Sequence, residues 1–75
     1  MTRRRLRISL REGLERYEER TGERLTYSEL ASRTGLSEAT IKSLASRPGY
    51  NATLRTIERL CVALKVDPAE ILHWG

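Results

Sequence analysis

A chain of 75 residues is the size of one domain with a small core, and a charge of +4 with an isoelectric point near 9.8 suggests a polyanionic partner. Composition alone would also suit a ribosomal or membrane-surface protein. A single cysteine excludes an internal disulfide framework and fits a reducing cytoplasm, while the lack of Phe and the scarcity of Gly and Pro argue against a β-sandwich and against disorder. No stretch approaches the length of a membrane-spanning helix. The arginine-rich start has no apolar run behind it, so no signal peptide is visible.

The chain opens on a basic arm, residues 1–9, containing Arg3, Arg4, Arg5 and Arg7. Within it Arg5-Leu6-Arg7-Ile8 alternates with period two, the pattern of extended chain or a short edge strand. From residue 10 onward, cap chemistry divides the sequence into five helices at about 10–21, 27–34, 38–46, 54–64 and 68–72. Ser9/Glu12, Thr26/Glu29 and Asp67/Glu70 have capping-box spacing, and Pro68 suits the first helical position. Ser37 and Thr53 are N-caps for the third and fourth helices, and Gly22, Gly35 and Pro48-Gly49 mark stops. Leu10, Leu14 and Tyr17 form one stripe of helix one. Leu54, Ile57, Leu60, Cys61 and Leu64 form another on helix four, which makes Cys61 a buried small hydrophobe rather than a redox sensor.

The segment YSELASRTGLSEATIKSLAS, residues 27–46, is the most specific. Two short amphipathic helices flank a tight turn, with Leu30 and Ala31 facing inward before it and Leu36, Ile41 and Leu44 after it. A bend that close needs a small residue where the helices touch and one tolerant of positive φ at the helix end, here Ala31 and Gly35. On a wheel of 100° per residue, Glu38, Lys42, Ser46, Ala39 and Ser43 share one polar or small face spanning about 140°. Thr40, Ile41 and Leu44 fall on the opposite, core side. Such a face can lie close against a groove floor.

This spacing, from about Leu10 to Leu72, resembles the lambda repressor and Cro family of bacterial and phage regulators. The resemblance implies an all-α, five-helix DNA-binding domain over residues 10–75, preceded by the arm. It implies that Ser37, Glu38, Ala39, Lys42 and Ser43 read base edges, and each has the chemistry to do so. Hydroxyls bond bases or phosphate, a carboxylate accepts from cytosine, a methyl packs on thymine, and an ammonium donates to guanine. It places Tyr27, Ser28, Arg47, Tyr50 and Asn51 on the sugar-phosphate backbone. Arg3, Arg4 and Arg5 of the arm read either as backbone or minor-groove contacts or as a solvated tail. Two positions depart from the usual pattern: Tyr27 stands where many relatives carry glutamine, and Ala45 where many carry glutamate.

The expected protein is a cytoplasmic, sequence-specific transcription regulator acting as a homodimer on duplex DNA, because one recognition helix reads few bases. The expected dimer contacts are Ile71, Leu72 and Trp74, with the Leu6/Ile8 segment as the rival element. Trp74 would otherwise be a lid on the core. Two other readings of the same fold are an antitoxin and a protein-interaction module. No cofactor, metal or small-molecule ligand is indicated: His73 is the only histidine and no Cys or carboxylate group around it has ligand spacing. With no nucleophile paired to a base and no Gly-rich phosphate cradle, the sequence does not read as an enzyme. The carboxylates Glu12, Glu15, Glu18, Glu19 and Glu23 read as the solvated outer face of helix one.

Overall fold

The computed structural model describes residues 5–47 and 51–75 of the chain. In chain order the elements are β1 (Leu6–Ile8), α1 (Leu10–Thr21), α2 (Tyr27–Thr34), α3 (Glu38–Ser46), α4 (Leu54–Leu64), α5 (Pro68–Ile71) and β2 (Leu72–Trp74). The helices begin where hydroxyl caps satisfy their first N–H groups. Thr26 Oγ1 accepts from the Glu29 N–H at 3.1 Å, Ser37 Oγ from Thr40 at 3.1 Å and Thr53 Oγ1 from Thr56 at 3.2 Å. At Thr26 the box is complete, since a Glu29 carboxylate oxygen accepts from the Thr26 N–H at 3.2 Å. At Ser9 only one half forms: its hydroxyl accepts from Glu12 N–H at 3.4 Å, while the Glu12 carboxylate pairs with His73 Nε2 at 2.6 Å and ties β2 to α1.

The expectation of an all-α domain over residues 10–75 is corrected at its end by β2, while β1 falls in the segment read as extended chain or a short edge strand. β1 and β2 pair antiparallel, with Leu6 opposite Trp74, Arg7 opposite His73 and Ile8 opposite Leu72. The last helix therefore stops at Ile71, and Leu72 is already extended (φ −105°, ψ 127°). The alternating segment at the start supplies a strand edge, and pairing with it satisfies backbone groups that a frayed helix end would leave open. The pairing continues on both sides, with Ser9 N–H donating to Ile71 C=O at 2.7 Å and Gly75 N–H to Arg5 C=O at 2.8 Å.

Leu10, Leu30, Ile41, Leu44, Leu60, Leu64 and Ile71 form the fully buried centre of the core. Gly13 lies within it, and the reason is close approach: a Cβ there would sit 2.8 Å from Leu64 Cδ1 and 3.2 Å from Ile71 Cγ2. Helix α1 can thus press directly on α4 and α5. The stripe assigned to α4 needs one correction. Leu54 leaves the core and is 84% exposed, at the first position of α4.

α4 ends on Lys65 at φ 57°, a left-handed conformation without a glycine, which costs on the order of 1 kcal/mol. Arg20 holds that turn, donating from Nη1 to the Lys65 carbonyl at 2.6 Å and pairing with Glu70. Its hydrogen bond to Glu70, and then the Asp67 N–H, hold the Glu70 carboxyl below the ordinary glutamate range. A carboxylate depressed in the folded state stabilises the fold above its unfolded value and loses that contribution as pH falls through the depressed one. Melting temperatures of the wild type and Glu70→Gln are therefore expected to differ at neutral pH and to converge on acidification below the ordinary glutamate range. A gap that persists unchanged in acid would assign the effect to packing rather than charge.

Candidate nucleic-acid interface

The turn between α2 and α3 is built by three local devices. Gly35 takes φ 75° and donates its N–H to Ala31 C=O at 2.9 Å. Buried Thr34 donates its hydroxyl to Leu30 C=O at 2.8 Å and accepts from the Leu36 N–H at 3.3 Å, bracing both sides of the bend. Ser37 then caps α3. Ile41 and Leu44 are sealed in the core, so rotation of α3 about its axis is fixed and the opposite face must look outward.

That outward face carries Glu38, Ala39 and Lys42, all exposed, with Ser43 half-buried at its margin. The Lys42 ammonium lies 4.0 Å from the Glu38 carboxylate, an intrahelical pair one turn apart with both side chains at least half exposed. Such a pair holds neither group strongly, so each is available to another partner. Ser37 is exposed, but its hydroxyl is engaged: it accepts from the Thr40 N–H and shares a 2.8 Å hydrogen bond with Thr40 Oγ1. Its capacity to meet a base is reduced accordingly.

Tyr27 and Ser28 occupy the first turn of α2 and are exposed, beside the carboxylate of Glu29, which the Thr26 hydroxyl and then its amide hold below the ordinary range. Arg47, at the C-cap of α3, and Asn51, before α4, are also exposed. Arg5 is exposed immediately before β1. Arg3, Arg4 and Tyr50 lie outside the described residues. Of the expected dimer contacts, Ile71 is completely buried within the domain, so it has no surface left for a partner and is removed from that set. Leu72 is half-buried and Trp74 is 59% exposed, both on β2.

Two arginines near this region have roles the sequence pattern did not reveal. Arg33 donates to the Tyr17 hydroxyl at 2.8 Å and lies 5.7 Å from the centre of that ring, joining α2 to α1. Arg59 of α4 reaches the turn itself, its guanidinium 3.7 Å from where a side chain on Gly35 would begin. Both contacts join residues far apart in sequence, which periodicity does not report. Among the described residues no group of His, Cys, Asp and Glu is placed to hold a metal, and no helix is long and apolar enough to cross a membrane.

Comparison with known families agrees with this geometry. The sequence pattern of the Cro/C1-type HTH DNA-binding domain matches residues 22–74, well over half of the chain. The chain belongs to that family. No curated protein and no solved structure matches it.

Proposed function

We propose that the protein is a transcription regulator of bacterial or phage type that binds duplex DNA sequence-specifically, with α3 in the major groove. The observation that carries this reading is the division of α3: Ile41 and Leu44 buried on one side, small and polar Glu38, Ala39, Lys42 and Ser43 on the other, in a chain of the Cro/C1-type family. In this reading Ala39 packs on a thymine methyl, Lys42 donates to guanine, Glu38 accepts from cytosine, and Ser37 contributes through what its capping role leaves free. Tyr27, Ser28, Arg47, Tyr50 and Asn51 fix the register on the phosphates, and Arg3, Arg4 and Arg5 extend the contact along the backbone. The protein acts in the cytoplasm as a homodimer on a paired site, since two copies of a short reading helix give the specificity that one lacks.

Selection from a random duplex pool is expected to recover a single motif with inverted-repeat symmetry. Recovery of no motif would sink the reading. On the selected site, Arg47→Ala is expected to reduce the slope of log affinity against log salt by about 0.9, the signature of one lost phosphate contact. An unchanged slope would remove Arg47 from the interface.

A further inference from the structure

The β1–β2 sheet presents a basic side to solvent. Ile8 is buried and Leu72 half-buried on its inner face, so Arg7 and His73, paired across the strands, share the outer one. Together with Ser9, Arg11 and Glu12 at the start of α1 they line a cleft of about 330 Å³, which Ala45 of α3 also lines. The positive charge there is lightly held. The Arg7 side chain enters no ion pair or hydrogen bond among the described residues, and its stem lies against the backbone of Gly75, where a Cβ would leave it no room. Arg11 pairs with Glu15 at 3.2 Å, both side chains being more than half exposed, and such a pair is weak in water. Glu12, the one carboxylate lining the cleft, is turned onto His73 Nε2 at 2.6 Å, so its charge is engaged rather than set against the arginines.

We propose that this cleft is a binding site for a phosphate group, built beside the reading helix but separate from its outward face. Guanidinium groups present forked N–H donors that match phosphate oxygens, and here two of them come from different elements. The Ser9 hydroxyl accepts from the Glu12 N–H and keeps its own proton for another acceptor. The volume is several times the share of about 30 Å³ that a water molecule takes, room for a phosphate and its remaining waters. Ala45 keeps the site open. It stands where many members of the resembled family carry glutamate, and a carboxylate there would fill the space and set negative charge among the arginines.

Position ties the cleft to α3. On the helical wheel Ala45 lies about 20° from Glu38 and about 60° from Lys42, so the cleft borders the reading face on that side. A helix seated in the major groove has a sugar-phosphate strand along each flank, and a duplex on α3 would bring phosphates to this border. Tyr27, Ser28 and Arg47 do not line the cleft, so the contact adds to theirs. The phosphate has two sources, that backbone or a free phosphorylated compound. The inference rests on the DNA reading for the first and on the cleft alone for the second.

Two arms on the full chain test this, each comparing the wild type with Arg7→Ala/Arg11→Ala. Both positions are exposed, so helical content should hold. In the first arm, inorganic phosphate is titrated at constant ionic strength and followed by NMR. The backbone amides of Ser9 and Glu12 should shift with half-saturation on the order of 1–10 mM in the wild type, and about tenfold higher in the variant. In the second, phosphates of the selected duplex are replaced one at a time by uncharged methylphosphonate. One position in each half-site should cost the wild type on the order of 10-fold in affinity and cost the variant nothing further. The variant's salt slope should be lower by about 1.8, two contacts at about 0.9 each. Ala45→Glu, which closes the cleft from α3, should reproduce the loss with the selected motif unchanged. Success in the second arm makes the DNA backbone the source, and success in the first alone assigns the site to a free phosphorylated compound. Amide shifts equal in wild type and variant, with no methylphosphonate position that separates them, would overturn the proposal. A wild type that selects no duplex motif defeats the DNA reading, and the phosphate titration then decides the cleft on its own.

Discussion

Replacing Leu30 with alanine is expected to remove a large share of the stability of the domain. Leu30 is completely buried, on the helix that packs against both α3 and α4. Truncating a leucine in such a place removes its transfer energy and leaves a cavity, together about 2–5 kcal/mol. At about 0.05–0.15 kcal/mol per residue, a domain this small has a total stability of roughly 4–11 kcal/mol. A melting temperature lower by about 8–40 °C should follow, since each kcal/mol shifts a domain of this size by about 4–8 °C. Ser32→Ala, exposed on the same helix, serves as the control and should melt within a few degrees of wild type. Equal melting of the two variants would mean that α2 is not anchored as described.

The second large effect concerns binding with the fold untouched. Ala39→Glu places a carboxylate on the exposed face of α3, in its first turn, where a negative charge is compatible with the helix dipole. Stability should change by no more than about 0.5 kcal/mol. If that face meets the floor of the major groove, the added charge confronts the phosphates and displaces the methyl contact. Affinity for the selected site should fall by on the order of 100-fold or more, because like charges across an interface cost several kcal/mol. Titration of labelled duplex at fixed salt gives the comparison. Binding equal to wild type would show that this face does not touch DNA, and the reading helix would have to be sought elsewhere.

The helices were legible because their boundaries are written in local chemistry. Thr26, Ser37 and Thr53 cap, Gly22 and Gly35 stop, and the predicted limits of the first four helices coincide with those observed. The two faces of α3 were legible for the same reason, since a helical wheel needs only the sequence around it. What the sequence concealed depends on distant partners. Leu72–Trp74 looks like a helix end until β1 is placed beside it, and Ile71 looks available to a partner until α1 covers it. Leu54 shares its wheel sector with true core residues, and a wheel does not show which turns of a helix are covered in the fold. Gly13 carries no turn signal, because its purpose is contact with residues some fifty positions away.

The sheet has a consequence for the topology of the whole domain. Pairing Leu6–Ile8 with Leu72–Trp74 closes nearly the entire domain into a ring whose clasp is a few hydrogen bonds and the His73–Glu12 contact. Closing a loop of that length costs roughly 3–4 kcal/mol of chain entropy, which two three-residue strands by themselves would not recover. The clasp can therefore shut only once the helices have already drawn its halves together, and it is the natural first element to open. Because both ends of the ring emerge side by side, a short covalent bridge between them would leave the helices undisturbed, and the chain could begin instead at another loop without altering what α3 presents.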